Sequence, residues 1–305
     1  MRRPSTLLLA AAFALVTLVW GTTWAVIRVG LEAGIPPFAF VSLRFALASA
    51  VLFLLAPFLG VRFHRSPRVL ALWLMNAALN FCIPYGVVHW GEQWVPSGLA
   101  AVLFSTYPLM LALMAHVILP DERLRAGSLM GILVGFGGVA VIFSEDLASL
   151  GGPGVALAAV IILAAPLTSS VTSVVIKRWG QDVHPFSLSA VPMGLTAGVM
   201  GALSLAVEPA HTIPLNAATT GALLYLGLFG SALTFTLYFW MLSHMPATRL
   251  SLMTYIIPVV AVLVGTLVLH EPFTSRLLAG SVLVLVGVAV ALRFGGQPSQ
   301  GQGTE

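Results

Sequence analysis

Residues 119–143 read LPDERLRAGSLMGILVGFGGVAVIF, and residues 269–292 read LHEPFTSRLLAGSVLVLVGVAVAL. The two stretches match at an offset of 149 residues. The matches include Glu122 with Glu271, Gly131 with Gly280, and the tetrapeptide GVAV at 138–141 with its copy at 287–290. Apolar sequence of any origin supplies leucine and valine matches, but it seldom supplies glutamate and glycine matches in one register. The chain therefore contains an internal repeat.

The composition places both copies of the repeat in a membrane. Hydrophobic residues make up 59% of the 305 residues and charged residues 8%, whereas a soluble domain carries about 25% charged residues. Lipid accepts apolar side chains over the whole outer surface of a helix bundle, provided that the backbone satisfies its own hydrogen bonds. The sequence therefore predicts an all-α integral membrane protein.

Ten apolar segments follow one another with short breaks rich in glycine and proline, and most reach the roughly 20 residues that a spanning helix needs. The predicted spans are 7–29, 38–59, 69–90, 97–119, 126–143, 153–176, 186–207, 217–241, 248–269 and 276–294. Residues 1–148 form the first repeat and residues 149–294 the second. The polar tail, 295–305, has no apolar anchor and is predicted to be disordered.

Five spans per repeat is an odd number, so the second copy must enter the membrane from the opposite side. Further matches at an offset of 150 extend the repeat upstream: Trp90 with Trp240, Pro96 with Pro246, and Pro108 with Pro258. Inverted repeats build a pseudo-twofold bundle with a central site near the middle of the bilayer, which is an architecture of secondary transporters.

The basic residues predict the orientation. Eleven of the fourteen lysines and arginines fall on the side that carries both termini when the ten spans are counted through. Loops rich in lysine and arginine stay in the cytoplasm, so both termini are predicted to be cytoplasmic, in a plasma (inner) membrane. Arg2 and Arg3 imitate a signal peptide, but the apolar run continues to Val29 and indicates an uncleaved first helix.

The stretch WGTTWAVIRVGLEAGIPPFAFVSLRFALA at 20–48, the two repeat ends quoted above, and TYPLMLAL with its partner YIIPVVAVL resemble EamA-type proteins of the drug/metabolite transporter superfamily. The resemblance covers nearly the whole chain, and the repeat ends are its most specific part. It implies ten spans, two inverted five-helix halves and a central cavity. It also implies export of amino acids or related metabolites, since many such proteins are exporters, some of aromatic amino acids.

Polar and aromatic side chains inside the spans are the candidate substrate-binding residues. Polar groups in lipid must find partners or water, and the repeat places the third and fourth spans opposite the eighth and ninth. Aromatic faces would also attract an ammonium group, by about 0.5–2 kcal/mol. The predicted set is Trp20, Trp24, Asn80, Tyr85, His89, Tyr107, Tyr238 and Tyr255. Hydrogen bonding between helices and an aromatic belt at the membrane surface remain alternatives for these residues, and Asn76 fits the first alternative better.

Arg44 is the most informative charge, because it lies about 9 Å along its span at 1.5 Å per residue. An arginine at that depth needs a partner. It either pairs with Glu32 or Glu92, which we favour, or binds the carboxylate of a substrate.

Other residues have structural interpretations beside functional ones. Glu122 and Glu271 are expected to cap the helices that follow them. His89 and His116 are placed for proton movement but are more often hydrogen-bonded core residues. The glycines at 127, 131 and 135 predict a close-packing face, either within the bundle or between protomers.

Motifs that the chain lacks narrow the function further. It has no GxxxxGK[ST] phosphate loop and neither HExxH nor paired carboxylates within a span. We therefore predict a transporter of small polar molecules that is not an enzyme, uses no cofactor or metal, and binds no nucleic acid. The rival is an intramembrane enzyme or a lipid-handling protein with the same polar cavity. Whether the chain acts as a monomer or a homodimer stays open.

Overall fold

The fold is given by a computed structural model that describes residues 4–91, 94, 102–142, 144, 154–208, 213–214, 216–268 and 275–294, without the side chains at 24, 28, 261, 262, 264–268 and 277. Every regular element in these ranges is a helix. We number them α1 (Thr6–Glu32), α2 (Pro37–Leu55), α3 (Pro67–Gly91), α4 (Tyr107–Ile118), α5 (Ala126–Ile142), α6 (Val155–Trp179), α7 (Pro185–Val207), α8 (Ala217–His244), α9 (Met253–Val268) and α10 (Ser275–Phe294). A short helix, Ala247–Ser251, leads into α9.

The helices have the length and surface of a membrane protein. Six of those described, α1, α2, α3, α6, α7 and α8, are long and apolar enough to cross a bilayer, and α4, α5, α9 and α10 are shorter apolar helices. Large apolar side chains face outward along the bundle, among them Leu205, which is 89% exposed. Lipid accepts such a surface and water does not. The chain is therefore a helical membrane protein, while the count of ten spans stays a prediction.

Contacts between helices follow the relation that the repeat predicts, in which each helix corresponds to the one five places later. The most extensive packing joins α2 to α7 and α5 to α10, and each of these pairs contains a helix and its own counterpart. The next most extensive pairs are α3 with α6 and α1 with α8. The same relation converts each of these two pairs into the other. The two halves are thus interleaved rather than side by side.

Glycine allows α5 and α10 to touch through their backbones. A Cβ on Gly131 would collide with the backbone nitrogen of Ala291 and lie 2.6 Å from the carbonyl oxygen of Gly287, and a Cβ on Gly138 would lie 2.6 Å from the nitrogen of Val284. Small residues permit this approach in membranes, where packing replaces the hydrophobic effect. Of the two possibilities for the glycine face, the structure places it within the bundle.

Two glutamates tie the halves together at helix starts. The carboxylate of Glu122 accepts hydrogen bonds from the backbone nitrogens of Ala247 (2.9 Å) and Thr248 (3.0 Å). Glu122 therefore caps the helix leading into α9, not the helix that follows it in sequence, so the expected cap is right in kind but wrong in place. The carboxylate of Glu208 accepts from the nitrogens of Phe38 and Ala39 in the same way, at the start of α2. Glu271 lies outside the described residues.

Helices α3 and α8 each contain one π-helical turn, at Ala77–Cys82 and Leu228–Leu233. The two segments lie at an offset of 151 residues, so they occupy equivalent places in the repeat. A π turn holds one extra residue, which loosens the backbone hydrogen-bond ladder and is frequent at functional sites. Both segments lie next to the cavity described below.

Candidate functional site

A cavity of about 160 Å³ lies where helices of the two halves meet. Its wall is mainly aromatic and aliphatic, and Arg44 carries the only full charge among the described lining residues. They are Trp20, Thr23, Ile27, Arg44, Asn80, Pro84, Tyr85, Val88, His89, Phe104, Tyr107, Ser169, Phe235, Tyr238, Met253, Thr254, Ile257 and Pro258.

The π turn of α8 positions two of these side chains. The carbonyl oxygen of Gly230 accepts hydrogen bonds from the indole Nε1 of Trp20 at 3.3 Å and from Nη2 of Arg44 at 3.4 Å. Gly230 is in the segment where the regular ladder is interrupted, so a backbone acceptor is available to α1 and α2. A helix of the second half thereby holds one aromatic and one charged side chain of the first half.

Arg44 is 2% exposed, and its described hydrogen-bond partners are neutral. Its Nε donates to the hydroxyl of Ser231 at 3.1 Å, while Nη1 has no hydrogen-bond partner. The guanidinium carbon lies 5.0 Å from the centre of the Tyr85 ring and 5.3 Å from that of Phe45, which are cation–π contacts. The expected pairing with Glu32 is therefore wrong, because Ser231 and Gly230 take its place. Glu92 lies outside the described residues.

One wall of the cavity comes from α3. Asn80 is in the π turn of this helix, and Tyr85 and His89 follow on one face. The Nδ1 atom of His89 lies 2.8 Å from the carbonyl oxygen of Tyr85. A carbonyl can only accept, so Nδ1 carries the hydrogen, and in the neutral ring Nε2 is an acceptor. Nε2 is buried without a partner in the described structure, which leaves an imidazole acceptor at the cavity.

Three hydroxyls close one end of the cavity, and we call them the hydroxyl floor. The phenol oxygen of Tyr107 lies 2.6 Å from that of Tyr238 and 2.9 Å from the Oγ of Ser173. The Ser173 and Tyr238 oxygens are 2.9 Å apart. Tyr107 is on α4, in the first half, whereas Ser173 and Tyr238 are on α6 and α8, in the second. Within the hydroxyl floor, the Tyr107 hydroxyl therefore links the first half to the second.

The structure brings six of the eight predicted site residues to the cavity: Trp20, Asn80, Tyr85, His89, Tyr107 and Tyr238. Trp24 belongs to α1, but its side chain is outside the described part. Tyr255 does not line the cavity. It is fully buried in a separate core cluster, and its hydroxyl donates to the carbonyl oxygen of Ile132 at 3.0 Å.

The repeat explains why Tyr255 was the wrong choice on α9. At an offset of 150, the cavity residue Tyr107 corresponds to Ile257 and Phe104 corresponds to Thr254. Ile257 and Thr254 do line the cavity. Tyr255 is two residues from Ile257, which turns it by about 200° around the helix at 3.6 residues per turn. The repeat register therefore identifies the positions of α9 that face the cavity, which residue type alone does not.

Other polar residues named from the sequence have structural positions. The amide Nδ2 of Asn76 donates to the carbonyl oxygen of Leu188 at 2.7 Å, which joins α3 to α7 as expected for a residue bonding between helices. The Nδ1 of His116 accepts a hydrogen bond from the backbone nitrogen of Leu124 at 3.2 Å. His116 is thus engaged in the turn between α4 and α5, and of the two histidines only His89 lines the cavity.

Comparison with known proteins agrees with this architecture. A solved crystal structure superposes with a TM-score of 0.83 at 22% sequence identity, covering 94% of this chain and 97% of the other. The uncharacterized inner membrane transporter YedA of Escherichia coli strain K12 is 33% identical over 293 residues, which cover 93% of this chain and 90% of YedA. A probable terminal-alkyne amino-acid exporter of Streptantibioticus cattleyicolor is 30% identical, with 92% of each chain covered.

The profile of the EamA-like transporter family matches the sequence twice, at residues 7–144 and 156–293. The two matches lie one in each copy of the repeat and together cover most of the chain. Members of this family are membrane-embedded transporters, which implies a small-molecule substrate. The chain therefore belongs to the EamA-like transporter family.

Proposed function

We propose that this protein is a secondary transporter or facilitator that exports amino acids, foremost those with apolar or aromatic side chains, by alternating access through the cavity. The name of the Streptantibioticus cattleyicolor relative, a probable amino-acid exporter, supports the substrate class. Membership of a transporter family supports movement of the substrate across the membrane rather than its chemical conversion.

The chemistry of the cavity wall is the observation that carries the proposal. One cation, Arg44, and a few neutral polar groups lie beside a wall of apolar side chains that includes Phe235, Met253 and Ile257. A zwitterion with an apolar side chain matches this distribution, since it presents charge at one end and apolar surface at the other. Sites with few polar contacts also release their ligand readily, which a carrier needs.

The shape of the cavity supports alternating access. We call the membrane side where α1 begins and α10 ends the terminal face, and the other side the opposite face. The lining extends to Ile27, five residues before the end of α1, and to His89, two residues before the end of α3, both toward the opposite face. The hydroxyl floor and the Glu122 cap lie toward the terminal face. With cytoplasmic termini, as the basic residues predict, the described conformation faces outward.

Counterflow in proteoliposomes tests the proposal. The purified protein is reconstituted, the vesicles are loaded with one unlabelled amino acid, and entry of the same labelled amino acid is followed for each of the twenty. We expect saturable exchange of several apolar or aromatic amino acids and little exchange of lysine or glutamate. Ser169→Phe places a ring in the cavity and should abolish exchange, whereas Leu205→Phe on the lipid face should not. Absence of exchange for all twenty with intact protein would overturn the proposal.

A further inference from the structure

Arg44 lines the cavity, and one nitrogen of its guanidinium is buried without a partner on a side chain that is otherwise fixed. Ser231 and Gly230 bind Nε and Nη2, and the rings of Phe45 and Tyr85 flank the guanidinium. Only Nη1 is left without an acceptor. Packing from several sides limits the motion of the guanidinium before any ligand is bound. Such preorganisation lowers the entropic cost of binding.

The charge on Arg44 is incompletely compensated. Buried cations are costly unless they are paired, and arginine within a membrane segment commonly marks a substrate pathway. The described acceptors of Arg44 are one hydroxyl and one carbonyl, which are dipoles rather than charges. A carboxylate oxygen at Nη1 would supply the missing negative charge through a charge-assisted hydrogen bond.

His89 provides the complementary group beside the same ring. The Tyr85 ring lies 5.0 Å from the guanidinium carbon of Arg44 and 5.9 Å, centre to centre, from the imidazole of His89. The free Nη1 of Arg44 is a donor, and the free Nε2 of neutral His89 is an acceptor. A donor and an acceptor beside a common ring match the carboxylate and the ammonium group of a single small molecule.

We propose that Arg44 binds the α-carboxylate and His89 the α-ammonium group of the transported amino acid, an inference that rests on the proposed function. Arg44 on α2 and His89 on α3 both lie at the end of the cavity that is nearer the opposite face. The apolar side chain of the ligand then packs on Met253, Ile257 and Pro258 of the facing helix. The pair selects zwitterions over amines and over simple carboxylic acids of the same shape.

Three probes that differ by one group test the assignment: L-phenylalanine, phenethylamine, which lacks the carboxylate, and 3-phenylpropionate, which lacks the ammonium group. Binding of labelled L-phenylalanine to the full chain in nanodiscs is competed with the other two. We expect each to bind roughly 10- to 100-fold more weakly than L-phenylalanine, the effect of one hydrogen bond to a charged group. Arg44→Gln should weaken L-phenylalanine by a similar factor and leave phenethylamine unchanged. His89→Phe should weaken L-phenylalanine and leave 3-phenylpropionate unchanged.

Thermal melting separates recognition from a structural role. Without ligand, Arg44→Gln should melt no lower than the wild type, because it removes an incompletely paired buried charge. L-phenylalanine should raise the melting temperature of the wild type and not that of the variant. Arg68→Gln, which loses the exposed pair with Asp182 and a hydrogen bond to the carbonyl oxygen of Trp179 away from the cavity, is the control and should bind as the wild type does.

The failures of the two proposals differ. If the wild type exchanges amino acids but Arg44→Gln still prefers L-phenylalanine to phenethylamine, the assignment of Arg44 is wrong and the transport function stands. An unstable Arg44→Gln variant that the ligand still stabilises would likewise assign Arg44 to structure. If the wild type exchanges none of the twenty and does not bind L-phenylalanine, both proposals fall.

Discussion

Tyr107→Phe should release the terminal face of the cavity. The change removes the one hydroxyl that joins α4 to the second half in the hydroxyl floor, together with its contacts of 2.6 Å to Tyr238 and 2.9 Å to Ser173. The bond between Ser173 and Tyr238 remains, but both residues belong to the second half. The variant therefore cuts the link that the hydroxyl floor makes between the halves and leaves the packing of each half intact.

The size of the effect follows from the two lost bonds. A hydrogen bond contributes about 0.5–1.5 kcal/mol net, so conformations with the floor open gain about 1–3 kcal/mol relative to the closed one, or roughly 5- to 150-fold in population. Ser173→Ala also loses two bonds but keeps the one between Tyr107 and Tyr238 across the halves. Its expected shift is therefore smaller.

Labelling from each membrane face measures this shift. A cysteine replaces Ser169 in the cavity wall after Cys82, the single native cysteine, has been changed to serine. An impermeant maleimide is then applied to vesicles of either orientation. Tyr107→Phe should raise the labelling rate from the terminal face. Tyr225→Phe, which loses its 2.5 Å bond to Thr22 away from the floor, should not. Equal rates in Tyr107→Phe and the parent, or an equal rise in Tyr225→Phe, would refute the reasoning.

Three further changes probe the joints between the halves. Gly131→Ala forces α5 away from α10 and should lower the free energy of unfolding by about 1–3 kcal/mol. Gly137→Ala, whose new Cβ has nothing within 4 Å, should leave that free energy unchanged or raise it by up to about 1 kcal/mol. Equal melting temperatures of the two variants in detergent would contradict this. Glu122→Gln should weaken its cap on the helix leading into α9 by about 1 kcal/mol and raise the labelling rate from the terminal face. Asp121→Asn, at the neighbouring position, is its control. Glu208→Gln should lower the melting temperature by a comparable free energy without changing the labelling, because α2 and α7 already pack closely along their length. A labelling change as large as that of Glu122→Gln would count against this division of roles.

The fold was predictable because lipid imposes strong rules. Spanning helices need long apolar segments, and matched residues such as Glu122 and Glu271 identified the repeat. The π turns were not predictable, because α3 and α8 are apolar over much of their circumference and an extra residue leaves no break in the pattern. The partner of the Glu122 cap was also hidden, because it depends on how the halves interleave.

The site was predictable to the extent that polar groups in lipid must face a cavity or another helix. Asn80, Tyr85 and His89 reached the cavity for that reason. Residue type could not separate the faces of α9, so Tyr255 was chosen where the repeat register points to Ile257. The surroundings of Arg44 were beyond the sequence, because its acceptor is a backbone carbonyl that a π turn exposes.

The π turns also give two walls of the site a tolerance for changes in length. Each residue of a regular α-helix adds about 100° of rotation, so removing one residue from Ala217–Gly227 would turn Tyr238 away from the hydroxyl floor. A π turn instead spreads one extra residue over a wider turn, so removing one residue from Leu228–Leu233 leaves a regular α-helix with Tyr238 still on the same face. The same holds for Ala77–Cys82 and His89. In this bundle, a single-residue deletion in either of two short segments can therefore shorten a helix without changing the face that it presents to the substrate.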